Sequence, residues 1–248
     1  LLSLLGKAAF LGEQFELHML AEITGLQPHE LFKILQPAVD SRIIYPILGE
    51  RLLYGFEHSR IRQLAYETIA EGKRSELHMT IGMLLKQRRE NGLWNGAIEE
   101  LVDHLNQCAL EIIRQGNSKE LAQWNIQAGL SAKQANALTE ALNYFRKATE
   151  LLKDSWKQEY ELTSQAYLER AKAEFNCTYY EEADALFQLL LSKAQNDYDK
   201  AQVYLMMISL EVSIDKFSNV ISSAEKALDL LGVKHNFYAS WWQLFTYW

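Results

Sequence analysis

From about residue 71 onward, no segment of the chain alternates apolar and polar residues as a half-buried strand would. Instead, apolar positions recur three and four apart. The stretches "SELHMTIGMLLKQRRE", "GAIEELVDHLNQCALEIIRQG", "KELAQWNIQAGLSAKQANA" and "TEALNYFRKATELLK" each carry an apolar stripe at helical spacing. Only three prolines and twelve glycines punctuate the 248 residues, so long helices with short connections are expected. At 48% hydrophobic, the chain is rich enough to bury a sizeable core, as one large or two modest domains.

The later half repeats itself weakly. "ALNYFRKA" places Ala141, Phe145 and Ala148 at i, i+4 and i+7. "ADALFQLL" does the same with Ala183, Phe187 and Leu190, and "VISSAEKA" with Val220, Ala224 and Ala227. The offsets are 42 (141 to 183) and 37 (183 to 220), close to the period of helical-hairpin repeats of the tetratricopeptide kind. Small residues let two helices approach closely while the aromatic fills the groove between them. One hairpin cannot bury its own apolar face, so several must stack. The consensus Trp, Gly and closing Pro are mostly absent, which makes residues 71–248 a tetratricopeptide-like solenoid.

Residues 1–70 read differently. "LLSLLGKAAFLG" and "HMLAEITG" are helices, the second ended by Gly25. "PHELFKILQPAVDSR" is a third, with Pro28 suited to a first turn and Pro37 expected to kink it. "IIYPILGERLLYGF" holds two short β-prone runs around Gly49-Glu50, a hairpin signal. Three helices, a two-stranded wing and a helix follow the order of a winged-helix unit. The expected fold class is therefore mainly α, a small winged-helix domain (1–70) followed by a tetratricopeptide-like α-solenoid (71–248).

Composition and motifs exclude several functions. A net charge of −7 and a pI near 5.5 argue against a nucleic-acid surface. The candidate recognition helix at 28–41 offers Lys33 but also Glu30 and Asp40, whereas a groove reader carries several Arg or Lys. Cys108 and Cys177 match no metal or redox spacing and suit a reducing, cytoplasmic setting. "EGKRSE" lacks the glycine and the strand of a phosphate loop, and no HExxH, GxSxG or kinase motif is present. His18 with Glu22, and His104 with Cys108, share helical faces without a third ligand, so no metal site or catalytic residue is assigned. The sequence has no run of about 18 apolar residues, the length a membrane-spanning helix needs. The chain opens on Leu without a start Met and closes on the aromatic-rich "FYASWWQLFTYW", and we read it as a piece of a longer protein. That aromatic end reads as a repeat helix short of its packing partner, or alternatively as a surface for a membrane interface or a partner.

One corner stands apart. In "GFEHSRIRQLAYETI", a strand-like run stops at His58-Ser59-Arg60 and a helix begins, with Ile61, Leu64, Ala65 and Ile69 on one face. The plain reading makes Ser59 the N-cap, Arg60 a solvated residue and His58 a polar group at the core edge. The functional reading notes that an imidazole and a guanidinium at a helix N-terminus suit an anionic phosphate supplied by another domain.

Several segments together carry a resemblance: "LLGKAAFLGEQFELHMLAEITG", "LQPAVDSRIIYPI", "YGFEHSRIRQLAYETI", "ELVDHLNQC", "ELAQWNIQAGLSAKQANALTEALNYFRKATELL" and "AKAEFNCTYYEEADALF". They resemble the winged-helix and helical-repeat region that follows the nucleotide-binding domain of bacterial AAA-like STAND ATPases. Hybrid Ser/Thr kinase–ATPase–sensor histidine kinase proteins contain such a region. The likeness covers roughly residues 4 to 233. It implies a regulatory region without catalysis of its own, whose parent protein has ATPase and kinase activity. ADP or ATP is expected in the upstream domain, and a protein partner on the repeats. In that family a His of the winged helix reaches the β-phosphate of ADP. His58 occupies the matching place and Arg60 keeps the Phe-x-His-Asp-Arg pattern, while Ser59 departs from it.

Overall fold

The computed structural model describes residues 1–49, 52–213 and 217–233. Among them it is mainly α, with thirteen helices and one three-stranded sheet. Two compact units divide the chain, Leu1–Asn117 and Ser118–Trp248. Strands end before residue 70, as read from sequence, whereas the packing boundary falls at Asn117.

The first unit opens with α1 (Leu2–Phe10), β1 (Gln14–Glu16), α2 (Leu17–Thr24) and α3 (Pro28–Asp40). The strands β2 (Ile44–Ile47) and β3 (Leu53–Phe56) follow, then α4 (Ser59–Glu67), α5 (Glu71–Glu90), α6 (Ile98–Gln107) and α7 (Ala109–Arg114). Gly25 ends α2 at φ +71, donating its N–H to Ala21 O, a conformation that favours glycine. Pro28 occupies the first turn of α3, and Glu30 accepts from Gln27 N at 2.9 Å. Pro37 lies inside α3 on its exposed side.

The hairpin expected around Gly49 is present, β2 and β3 pairing antiparallel with Ile44 opposite Phe56. The sheet order β1-β3-β2 leaves β2 at an edge, where Pro46 removes no needed donor. Gly55 is required opposite Tyr45, because a Cβ there would lie 2.6 Å from the Tyr45 ring. Strand β1 was not anticipated. It is three residues long, too short to show alternation, yet it buries Phe15 against Tyr54 and Phe56. The helix read across 96–116 is also corrected. It breaks at Cys108 (φ −115), whose Sγ contacts the oxygens of His104 and Leu105.

The second unit comprises α8 (Ser118–Gln134), α9 (Leu138–Leu151), α10 (Tyr160–Asn176), α11 (Tyr180–Lys193), α12 (Asp197–Ser213) and α13 (Phe217–Leu230). The repeat read from sequence lands on α9, α11 and α13, the second helix of each hairpin. Ala141, Phe145 and Ala148 are buried, as are Ala183, Phe187 and Leu190. In the third hairpin Ala227 is buried, while Val220 and Ala224 are half-buried. Gly129 on α8 faces Phe145, where a Cβ would meet the ring at 2.5 Å. The aromatic stretch from Phe237 to Trp248 lies outside the described residues.

Candidate functional site

His58 joins the sheet to α4. Glu57 N donates to Ile43 O at 3.1 Å, closing the hairpin side. His58 O then accepts from Ile61 N and Arg62 N, opening the helix. His58, not Ser59, is therefore the N-cap residue, with extended backbone (φ −145, ψ 145) and no side-chain cap bond. Ser59 takes the first helical position. His58, Ser59 and Arg60 are exposed, and neither the His58 nor the Arg60 side chain has a hydrogen bond or ion pair with a described residue. The rest of α4 is fastened: Arg62 bonds Glu13 Oε1 at 2.9 Å and Ala9 O, Ala65 is buried, and Tyr66 stacks on Phe10. The corner thus offers one imidazole, one guanidinium and free backbone N–H groups on a rigid frame.

The other candidates resolve differently. His18 and Glu22 line an open cleft of about 420 Å³ with Glu16 and Arg88. There Arg88 donates to Glu22 and lies 3.7 Å from Glu16, so the basic group is already neutralised. On α3, Lys33 is exposed together with Glu30, Asp40, Phe32 and Ile34, a mixed rather than a basic surface. Among the described residues, no group of three or more His, Cys, Asp and Glu is placed to hold a metal. No helix there is long and apolar enough to cross a membrane.

Two polar clusters escaped the sequence. His104 does not pair with Cys108 through its ring. Its Nδ1 lies 2.9 Å from His78 Nδ1, and His78 Nε2 lies 3.3 Å from the Tyr66 hydroxyl. Burial first, then the neighbouring His78, pushes the His104 pKa down to about 4, and burial lowers that of His78. Burial likewise pushes the Cys108 thiol up to about 11, so it is an inert neutral group.

In the second unit the carboxylate of Glu174 is fully buried. Arg146 grips it through Nε and Nη2 at 2.9 and 2.7 Å, and Arg170 Nε approaches at 3.1 Å. Arg170 also donates to Thr149, and the Arg146 guanidinium lies over the Tyr179 ring. The i, i+4 spacing of Arg170 and Glu174 was a legible hint. The 26-residue separation of the two histidines gave none.

No family model matches the chain. In sequence it is similar to hybrid signal transduction histidine kinase G of Dictyostelium discoideum, 22% identical over 286 residues. That alignment spans 91% of this chain and 8% of the length of that protein. Two solved structures share some of its shape. One is BtubC from P. vanneervenii (TM-score 0.40, 11% identity, 73% of this chain and 75% of that one). The other is a STAND protein with a tetratricopeptide repeat sensor from Pyrococcus horikoshii (TM-score 0.29, 13% identity, 92% and 44%). At these scores and identities, neither superposition carries an argument about this chain.

Proposed function

We propose that this chain is a non-catalytic regulatory and protein-interaction region of a cytoplasmic, multidomain signalling ATPase. In this reading it couples partner binding on the helical repeats to the nucleotide state of an upstream ATPase domain. That domain holds ADP or ATP, and His58 and Arg60 reach its phosphate in the resting arrangement. The observation that carries the reading is the corner itself: an imidazole and a guanidinium, exposed and with unpartnered side chains among the described residues, at the positive end of α4. A partner acts by favouring an arrangement in which the corner leaves the nucleotide, which requires unequal affinity for the two arrangements.

The test uses the longer parent protein. His58→Ala is expected to speed ADP release and change signalling. Unchanged ADP retention would leave a plain scaffold, the second reading. That reading is favoured by the exposed stripe Tyr198, Leu205 and Val212 along α12, which suits a protein partner. A nucleic-acid role is not proposed. The exposed surface of α3 carries one Lys against Glu30 and Asp40, and residues 1–117 are expected to give no mobility shift with duplex DNA at low salt.

A further inference from the structure

Tyr66, His78 and His104 link three helices, α4, α5 and α6, through one chain of hydrogen bonds. The Nδ1–Nδ1 contact of 2.9 Å holds a single proton. If Tyr66 donates to His78 Nε2, then His78 Nδ1–H must donate to a bare Nδ1 on His104. In the reverse sense, His104 donates to His78 and His78 donates to the tyrosine oxygen. One added proton fits, because an imidazolium at His78 can donate in both directions. A second sets two N–H groups and two like charges face to face.

The surroundings do not relieve that repulsion. From α1 the Phe10 ring packs against His78. From α5 the Arg74 guanidinium sits 5.0 Å over the Tyr66 ring and adds positive charge. On α6, Glu100 lies one turn before His104 and burial raises its own pKa. The Cys108 thiol after it is neutral. Among the described residues, neither imidazole has a carboxylate hydrogen-bond partner. One turn from His78, a Cβ on Gly82 would lie 2.6 Å from Leu105 Cδ2, so α5 and α6 pack at close range beside the two rings.

We propose that this hydrogen-bonded chain is an acid-sensitive clasp, which holds α4, α5 and α6 together with at most one proton added and parts α6 from α5 when both imidazoles are charged. The clasp is independent of the nucleotide reading. Amide hydrogen exchange on the whole chain at pH 7 and pH 5, corrected for intrinsic rates, tests it. Protection across Ile98–Gln107 is expected to fall at least about tenfold at pH 5, because the parted helices bind protons at the ordinary imidazole value. His104→Gln keeps a neutral hydrogen-bonding group and is expected to abolish that loss. Imidazole NMR on the unsubstituted protein needs no variant to fold, and is expected to show His78 and His104 titrating as a coupled pair. Protection unchanged by pH, an equal loss in His104→Gln, or two independent titrations near 6.5 would each overturn the clasp.

Discussion

Thr178 sits at φ +68 in the turn between α10 and α11, and Asn136 at φ +59 in the matching turn between α8 and α9. Asparagine tolerates left-handed backbone, whereas a β-branched side chain crowds it. Thr178→Asn is therefore expected to raise the unfolding free energy by roughly 0.5–1 kcal/mol, read as a higher urea midpoint at unchanged slope. Phe145 poses the opposite case. Its ring is fully buried and seated against Gly129, so Phe145→Ala leaves a cavity and is expected to cost about 3–5 kcal/mol in the same measurement. Periodicity marked Phe145 for burial, because a ring at i+4 between two alanines can only face inward. The need for glycine at 129 was not legible, since it arises from a neighbouring helix and not from the α8 pattern.

Between elements, buried polar groups set the terms. Glu174 ties α10 to α9 through Arg146, and Glu174→Gln would leave both arginines without their carboxylate. Loss of about 2–4 kcal/mol is expected by urea denaturation. The two histidines make stability depend on acidity. With His104 held at about 4 in the folded state against 6.5 ordinarily, the unfolded chain takes up a proton in that window and the folded chain does not. Stability is thus full above about 6.5 and falls as the pH drops toward 4, by about 3 kcal/mol for His104. Melts from pH 7.5 to 4.5 will show that slope, and His104→Gln will flatten it. Helix stripes and the hairpin at Gly49 were readable because each follows from local pattern. Strand β1, the break at Cys108 and the His78–His104 contact were not, because each depends on what another element supplies.

Taken as a whole chain, the packing boundary at Asn117 assigns α5 to the strand-containing unit. Phe10 and Tyr66 lean on His78, and Arg88 reaches Glu16 and Glu22. A fragment ending at Asn117 is expected to unfold in one cooperative urea transition. One ending at Ala70, stripped of those contacts, is expected to show a weak near-ultraviolet signal and a broad transition. The His58 backbone, meanwhile, is pinned on one side by the last ladder bond of the hairpin and on the other by the first turn of α4. An imidazole mounted in that way has only its own side-chain torsions left to freeze when something closes over it. In the role proposed for it, engagement and departure would require no refolding, and the corner would cycle as a quick, reusable catch.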